Sequence, residues 1–408
     1  MISTRRIAPF KLFRVKTPTL VLLFSALLLI AAHPAQAQTG TVLYNFMGVP
    51  DGDNPDASLV FDKAGNLYGT TAYGGNACPS DPNGCGTVFK LSPNGSGGWD
   101  ETVIYSFSAG ADGAYPLANV IFDAMGNLYG TADNGGANGY GVVFELSPVG
   151  SSWTEKVLYS FCSQPNCADG VYPMSGLLMD SAGNLYGANE ANVFELSPFG
   201  GSWTEQVIYN AAGWGGLAMD ASGNIFGLGY SGAVDHPIAF ELSPDGKGGW
   251  NPTVLYTFTT GQPWGTPALD KAGNFYGTTD APNSHNNPGT VYKLSRGKEG
   301  KWTKKILHSF KSGDFAPWGL VLDAAGNIYG TTSGYGRAPL PFGTVYELVA
   351  EPITGTYEEK NLWVFNETDG EFPVGGLIWD NEGNLYGTTS RGGTGGKYGN
   401  GVVFEVTP

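Results

Sequence analysis

Acidic and aromatic residues recur together at a fixed spacing in three loops of this 408-residue chain. Each loop contains the phrase Asp-Gly-x-aromatic-Pro, and three other stretches at the corresponding place carry a tryptophan instead. Carboxylates accept hydrogen bonds from sugar hydroxyls, and aromatic rings stack against the apolar C–H faces of sugars. The candidate ligand-binding residues are therefore Asp112, Tyr115, Asp169, Tyr172, Trp214, Trp264, Trp318, Asp369 and Phe372. A structural interpretation stays open, because Asp-Gly is a turn signal and an aromatic-Pro pair packs well between neighbouring units.

Motifs for catalysis are missing from the sequence. It contains no Gly-x-Ser-x-Gly elbow, no phosphate-binding loop and no dinucleotide fingerprint. The histidines His236, His285 and His308 lie in different units without the spacing of metal ligands. We therefore assign no catalytic residue, no metal ligand and no cofactor, although a divalent cation stays an option. A pair of glycosidase carboxylates also stays possible, since such a pair needs only a suitable separation in space.

The phrase Asp-x-x-Gly-Asn, repeated through the chain, indicates the elements that position these loops. It begins at Asp62, Asp123, Asp180, Asp220, Asp270, Asp323 and Asp380. A repeat of roughly 40–50 residues with four strands is typical of β-propeller blades. We interpret each repeated Asp as a turn residue, because Asp binds nearby backbone amides and the Gly supplies a positive φ.

The second repeat predicts four short strands, at 120–122, 128–131, 142–146 and 153–161. On the fourth of these, the period of two places Trp153, Val157, Tyr159 and Phe161 on one face. Tryptophans begin the fourth strand in five repeats and are interpreted as packing anchors; they are Trp99, Trp153, Trp203, Trp250 and Trp302.

The two ends of the repeat region complement each other. Residues 41–46 match a fourth strand, whereas the chain stops at 402–406, which match a third. The sequence therefore predicts an all-β, seven-bladed β-propeller of four-stranded blades. The N-terminal strand closes the ring by joining the last blade, in a three-plus-one arrangement.

Residues 1–37 have the pattern of a secretory signal peptide: a basic start, an apolar run and the small-x-small site Ala35-Gln36-Ala37. Residues 38–408 are then a single propeller domain of an exported protein, periplasmic or extracellular. This part has 16 basic and 36 acidic residues, which argues against nucleic-acid binding. We expect a monomer with no membrane insertion once the signal is removed.

Four cysteines form two local pairs, Cys78 with Cys85 and Cys162 with Cys167. In an exported protein such pairs predict disulfides that staple loops. A zinc site is the alternative, although neither pair has a histidine nearby.

The phrases Gly-Asn-Leu-Tyr-Gly-Thr-Thr, Gly-Thr-Val-Phe-Glu-Leu-Ser-Pro and Val-Leu-Tyr-Ser-Phe recur in this order. Residues 384–389, 343–348 and 157–161 carry them most clearly. This pattern resembles the GloVer (Gloeobacter–Verrucomicrobia) tandem repeat of exported bacterial proteins over nearly all of 41–408. The resemblance implies export and a propeller-like repeat, and it supplies no catalytic residues. A looser resemblance links Asp-x-x-Gly-Asn-Leu-Tyr to NHL-type and gluconolactonase-like propellers.

Two functional hypotheses follow. The first is a non-catalytic binding or scaffold protein that recognises a glycan or an extracellular protein through its variable loops. The second is a propeller enzyme, a lyase, lactonase or glycosidase, with carboxylates and an optional divalent metal at the axial channel. Three or more carboxylates converging at the channel mouth would favour the enzyme, and an aromatic groove without them would favour binding.

Overall fold

The computed structural model describes residues 39–408 apart from Ala77, Ser80, Trp214, 232–235, 281–288, 311–314, 335–341, Pro352 and 396–398. It describes the backbone alone at Ala212, Ser231 and 315–318. The described residues form strands and one short 3-10 turn at Pro165–Cys167. No helix among them is long and apolar enough to cross a membrane.

The strands in chain order are β1 (Thr39–Asn45), β2 (Gly52–Asp53), β3 (Val60–Phe61), β4 (Leu67–Thr71), β5 (Tyr73–Gly74), β6 (Thr87–Pro93), β7 (Trp99–Ser106), β8 (Ile121–Phe122), β9 (Leu128–Ala132), β10 (Val142–Val149), β11 (Ser152–Ser160), β12 (Leu178–Met179), β13 (Leu185–Ala188), β14 (Val193–Phe199), β15 (Ser202–Tyr209), β16 (Ala211–Ala212), β17 (Ala218–Met219), β18 (Ile225–Ser231), β19 (Pro237–Pro244), β20 (Trp250–Thr257), β21 (Gln262–Leu269), β22 (Phe275–Asp280), β23 (Thr290–Arg296), β24 (Trp302–Ser309), β25 (Phe315–Leu322), β26 (Ile328–Ser333), β27 (Thr344–Glu351), β28 (Thr356–Val364), β29 (Ile378–Trp379), β30 (Leu385–Thr389) and β31 (Val402–Thr407).

Seven antiparallel sheets form the blades, and the predicted seven-bladed propeller is confirmed. Blades 1 to 6 are β3-β4-β6-β7, β8-β9-β10-β11, β12-β13-β14-β15, β17-β18-β19-β20, β21-β22-β23-β24 and β25-β26-β27-β28. Blade 4 carries β16 as an additional strand, and β2 pairs with β5 in a separate small sheet. Blade 7 is β29-β30-β31 with β1 as its fourth strand.

Closure of the ring depends on the pairing of β1 with β31. The register runs from Thr39 opposite Thr407 to Asn45 opposite Val402. The N-terminal strand therefore completes the last blade, as the sequence predicts.

Each Asp-x-x-Gly-Asn phrase forms the turn between the first and second strands of a blade. In blade 2, Asp123 Oδ1 accepts hydrogen bonds from the backbone N–H groups of Met125 at 2.8 Å and Asn127 at 2.9 Å. Its Oδ2 accepts one from Asn127 Nδ2 at 2.8 Å. The same three bonds recur in the other six blades. This supports the interpretation of the repeated Asp as a turn residue.

A glycine in the second strand of each blade makes room for an aromatic ring of the third strand. Gly130 lies directly opposite Phe144, and a Cβ added at Gly130 would lie 2.5 Å from Phe144 Cζ. The equivalent pairs are Gly69 with Phe89, Gly187 with Phe194, Gly227 with Phe240, Gly277 with Tyr292, Gly330 with Tyr346 and Gly387 with Phe404. All seven rings are fully buried, so each of these glycines helps to position one core aromatic residue.

The predicted common face for the four residues of β11 is wrong. The register jumps between Phe144 opposite Val157 and Val143 opposite Tyr159, so Leu158 is an extra, bulged residue. Trp153 and Val157 therefore pack in the core between blades 1 and 2, whereas Tyr159 packs between blades 2 and 3 with Phe161. A bulge reverses the alternation of faces, and the period-two rule assumes a regular strand.

Neighbouring blades are joined by packing and by hydrogen bonds. The five tryptophans that begin fourth strands all pack against core clusters, which confirms that they are packing anchors. For example, the ring of Trp153 in blade 2 lies 6.2 Å from that of Tyr68 in blade 1. The hydroxyl of Thr70 in blade 1 donates to the carbonyl of Ala118 at the start of blade 2, at 3.0 Å.

Both predicted disulfides are present, Cys78–Cys85 and Cys162–Cys167. The first staples the loop between the second and third strands of blade 1, and the second staples the loop after blade 2. The predicted signal peptide, 1–37, lies outside the described residues.

Candidate functional site

The antiparallel order of the strands gives the propeller two different faces. We call loop face the side that carries the loops before each first strand and between the second and third strands. We call turn face the opposite side, which carries the Asp-x-x-Gly-Asn turns and the turns between third and fourth strands. The candidate ligand-binding residues precede the first strands or lie within them.

The first strands of all seven blades surround an axial channel, a cavity of about 420 Å³. Its wall is made largely of glycine and aliphatic residues, among them Leu59, Gly176, Leu217 and Leu377. Glycine is required where first strands approach each other closely: a Cβ on Gly319 would lie 2.8 Å from Gly376 Cα. The channel itself therefore offers few polar groups to a ligand.

A second cavity, of about 460 Å³, opens at the loop-face end of this channel. It shares Asp56, Leu117, Met174 and Val374 with the channel wall. We call it the mouth cavity. Its remaining walls are Asn54, Trp264, Ser333, Phe372, Ser390 and Arg391, so aromatic rings, aliphatic groups, one acid and one base surround the same space.

Asp56 is the carboxylate of the mouth cavity. Burial raises the pKa of Asp56 to about 7, although the nearby Arg391 guanidinium and the Ser390 side chain both oppose that shift. Asp53 lies close enough to repel the Asp56 charge. A carboxyl group with a pKa near neutrality can both donate and accept a hydrogen bond under physiological conditions.

The charge of Arg391 balances several acids at the mouth. Burial raises the pKa values of Asp53 and Glu371, and Arg391 opposes both shifts. The Arg391 guanidinium carbon lies 5.5 Å from the centroid of the Phe372 ring, which is a cation–π geometry. The backbones of Glu371 and Arg391 also exchange two hydrogen bonds, at 2.7 and 3.0 Å. These contacts fix the base beside the aromatic wall.

Two of the nine candidate residues, Trp264 and Phe372, line the mouth cavity. Trp264 lies on β21, and its side chain opposes the rise that burial causes in the pKa of Asp280, at the end of the neighbouring β22. Both rings are half-buried. Trp214 lies outside the described residues, and Trp318 is described only by its backbone in β25.

The acidic candidates brace their own loops. Asp112 accepts hydrogen bonds from the N–H groups of Ser108 at 2.8 Å and Gly110 at 3.1 Å, and from the Tyr105 hydroxyl at 3.2 Å. Asp169, which is fully buried, accepts from the N–H and hydroxyl of Ser163 and the Tyr159 hydroxyl. Asp369 accepts from the backbone and side-chain amides of Asn366. The structure does not bring these three carboxylates into the mouth cavity.

The tyrosine candidates lie at junctions between blades. Tyr115 and Tyr172 have φ angles of 56° and 53°, and Phe372 and Asn54 share this left-handed conformation. The Tyr115 ring lies 5.4 Å from that of Tyr73, and the Tyr172 ring lies 5.6 Å from that of Tyr140 in the preceding blade. A positive φ is a strained conformation for these four non-glycine residues, so the surrounding contacts must stabilise it.

Sequence reasoning missed Asp56 and Arg391. Neither belongs to a repeated phrase, and their departure from the repeat is the only signal that could have identified them. Among the described residues, no three His, Cys, Asp or Glu side chains form a group that could hold a metal ion.

These observations define the class: a closed seven-bladed propeller with a polar and aromatic cavity at the mouth of its channel. The chain belongs to the Gloeobacter/Verrucomicrobia repeat family, whose model matches residues 29–193, 80–269 and 262–408. No curated protein matches the chain.

Several solved structures are similar to this protein. A fungal alcohol oxidase of the AA5 family, solved in complex with copper, has a TM-score of 0.57 at 14% identity, covering 91% of this chain and 77% of its own. A protein of unknown function from Dyadobacter fermentans has a TM-score of 0.47 at 10% identity, covering 90% and 98%. A gluconolactonase from Xanthomonas campestris has a TM-score of 0.41 at 12% identity, covering 69% and 82%. The first match supports the fold alone.

Proposed function

We propose that this protein is an exported binding protein that holds a neutral glycan at the mouth cavity. The observation that carries the proposal is the joint presence of the Trp264 and Phe372 rings with Asp56, Arg391, Asn54 and Ser390 around one space of about 460 Å³. A sugar ring presents apolar C–H faces to aromatic side chains and hydroxyl groups to polar ones.

Two features favour binding over catalysis. Among the described residues, Asp56 is the one carboxylate that lines the mouth cavity, whereas glycoside hydrolysis ordinarily needs two. The Asp-Gly carboxylates of the loop face are engaged in bracing their loops. They serve the proposal indirectly, because they hold the loops that frame the mouth.

Export is part of the proposal. Two disulfides suit an oxidising compartment, and residues 1–37 have the pattern of a secretory signal. A net negative charge from 36 acidic against 21 basic residues suits a protein that stays dissolved outside the cytoplasm.

An enzyme that uses Asp56 as a general acid or base is the second candidate function. Its support is the pKa of Asp56, which burial raises to about 7, close to the value that such a group needs at neutral pH. A lactonase or lyase could use one such carboxyl group beside the Arg391 cation.

Glycan-array screening followed by calorimetry tests the proposal. We expect Phe372→Ala to weaken binding of the selected glycan at least about fivefold and Asp56→Asn about tenfold. Phe199→Ala is the matched control, because Phe199 is 78% exposed and lies on the turn face. Unchanged affinity in both mouth variants, or no bound glycan, would overturn the proposal. Turnover of the selected glycan that Asp56→Asn abolishes would establish the enzyme instead.

A further inference from the structure

Blade 5 differs in charge from the rest of the chain. Its residues from Gln262 to Ser309 include seven basic and three acidic side chains, whereas the full sequence has 21 basic and 36 acidic. At physiological ionic strength charges are screened beyond about 8 Å. The local excess of positive charge therefore governs what approaches this blade closely, despite the acidity of the remaining surface.

Two of these cations occupy positions where no other blade carries one. Arg296 lies opposite Trp302 at the end of β23. The residues that pair with the same tryptophan in blades 1 to 4 are Pro93, Pro148, Pro198 and Pro244. Lys301 directly precedes Trp302, where those blades have Gly98, Ser152, Ser202 and Gly249. The turn between the third and fourth strands of blade 5 thus carries cations at two positions where blades 1 to 4 have proline, glycine or serine.

A cavity of about 520 Å³ lies where this turn meets blade 4. We call it the seam cavity. Arg296, Gly300, Lys301 and Trp302 form its blade 5 side. The Arg296 guanidinium follows the turn, since a Cβ on Gly300 would lie 3.8 Å from one of its nitrogens. Both cations are exposed and so remain available to a ligand.

Blade 4 supplies the opposite wall from β19 and β20. It includes the half-buried Tyr256 ring, Val254, which is 46% exposed, and the hydroxyl-bearing Ser243 and Thr253. Glu241 is the one acid in the lining, and one of its carboxylate oxygens accepts a hydrogen bond from Ser243 at 3.1 Å. The lining therefore has two cations, one anion, two aromatic rings and several hydroxyl groups.

We propose that the seam cavity binds a segment of an acidic polysaccharide whose sugars carry carboxylates, that is, a polyuronate. Arg296 presents a planar fork that matches a carboxylate, and Lys301 supplies a second positive charge beside it. Trp302 and Tyr256 offer apolar surface to the C–H faces of the sugar rings. Ser243 and Thr253 can exchange hydrogen bonds with ring hydroxyls.

This site is separate from the mouth cavity. The seam cavity lies at the outer edge of the propeller on the fourth strands, whereas the mouth cavity lies on the channel axis. The two cavities share no lining residue. Binding at the seam cavity therefore does not depend on the function proposed for the mouth.

Calorimetric titration of the full chain with tetragalacturonate tests the proposal, with maltotetraose and tetraglutamate as probes of charge and of chemical class. We expect the double variant Arg296→Gln/Lys301→Gln to bind tetragalacturonate at least about tenfold more weakly. The matched control is Lys63→Gln/Lys156→Gln, which removes two exposed cations from blades 1 and 2 and should bind as the parent does.

Three results would overturn the proposal. The first is no binding of tetragalacturonate by the parent chain. The second is equal affinity in the Arg296→Gln/Lys301→Gln variant. The third is displacement of the sugar by tetraglutamate at equal concentration, which would indicate a site for acidic peptide. Both substituted residues are exposed, so thermal melting of the variant should match that of the control and exclude misfolding as the cause of a loss.

Discussion

The junctions between blades use one geometry with two opposite chemistries. In blades 1, 2, 3, 5 and 6 the residue two positions after the tryptophan or tyrosine at the start of the fourth strand lies beside a ring near the end of the preceding blade's fourth strand. Between blades 7, 1, 2 and 3 that residue is a glutamate. It faces a tyrosine whose hydroxyl is bonded to the aspartate of an Asp-Gly loop. The sets are Glu101 with Tyr44 and Asp51, Glu155 with Tyr105 and Asp112, and Glu205 with Tyr159 and Asp169.

Between blades 4, 5, 6 and 7 the same position carries a lysine, a glutamate with a histidine partner, and a glycine. Lys304 of blade 5 lies over the Tyr256 ring of blade 4, with Nζ 5.6 Å from its centroid, and 4.9 Å from that of Phe258. Glu359 of blade 6 pairs with His308 at 2.9 Å. At the closing junction the equivalent residue is Gly40, where a Cβ would collide with Trp363.

The difference shows that the repeat fixes where two side chains meet and leaves their charge free to vary. We call the junctions between blades 7, 1, 2 and 3 the acidic half. Each glutamate there has an oxygen, Oε1, that is buried without a hydrogen-bond partner among the described residues. Burial, followed by repulsion from Asp51, raises the pKa of Glu101 to about 8. Burial, with repulsion from Asp112 and Asp169, raises the pKa values of Glu155 and Glu205 to about 7. In the acidic half, each glutamate is therefore held in a buried position close to an aspartate that repels its charge.

We expect the largest effects when the charges at the two kinds of junction are exchanged. Lys304→Glu would set a carboxylate against the faces of three aromatic rings without a counter-ion, so we expect a loss of about 3 kcal/mol in the free energy of unfolding. Glu155→Lys would bring a cation to Tyr105 and Asp112, so we expect a change below about 1 kcal/mol. Denaturant unfolding measures both.

Lys156→Glu is the control for this exchange, because Lys156 is exposed on the same strand as Glu155 and its reversal should have little effect. Equal losses in Lys304→Glu and Glu155→Lys would show that the two kinds of junction do not differ in the way described here.

The glycine in the second strand is common to both kinds of blade, so replacing it should cost the same stability in each. A Cβ at Gly130 would lie 2.5 Å from Phe144 Cζ, and one at Gly277 would lie 2.7 Å from Tyr292 Cζ. Overpacking of this kind typically costs 1–3 kcal/mol, so we expect Gly130→Ala and Gly277→Ala each to lose about 2 kcal/mol in denaturant unfolding. Phe144→Leu in the Gly130→Ala background should restore part of the loss. A difference between the two losses above about 1 kcal/mol would contradict a common core design.

The repeated residues explain why the fold could be predicted from the sequence. Asp123, Gly126 and Gly130 each impose a local constraint, a turn or a space for a ring, and seven copies of the set leave little freedom for another architecture. Ring closure could be predicted because residues 41–46 resemble a fourth strand by themselves. The bulge at Leu158 was harder to predict from the sequence. The unbroken apolar run Val157-Leu158-Tyr159 was nevertheless a signal that the alternation of faces fails there.

The candidate site could be predicted only in part. Trp264 and Phe372 were found because aromatic residues stand out at repeated positions. Asp112 and Asp169 were ambiguous, because a carboxylate beside glycine suits a turn and a ligand equally well. Asp56 and Arg391 come together through two loops that are more than 300 residues apart in sequence. No local sequence pattern could show that these two residues lie close together in the folded chain.

The smallest effect we expect is a pH dependence confined to the acidic half. Because the folded-state pKa of Glu155 is raised to about 7 from 4.5, folding favours its protonated form. Its contribution to stability is complete below the unfolded pKa and is lost as the pH rises through 7. Glu155→Gln should therefore match the parent at pH 5 and exceed it at pH 9 by about 1 kcal/mol, a figure reduced for solvent screening.

Urea unfolding at a series of pH values measures this difference. Glu358→Gln is the control, because Glu358 is exposed on the fourth strand of blade 6 and its difference from the parent should not change with pH. A parent chain whose stability stays level through neutrality, with Glu155→Gln parallel to it, would show that the glutamates of the acidic half are well solvated. The charge difference between the two kinds of junction would then have no energetic consequence, since repulsion between solvated carboxylates is largely screened.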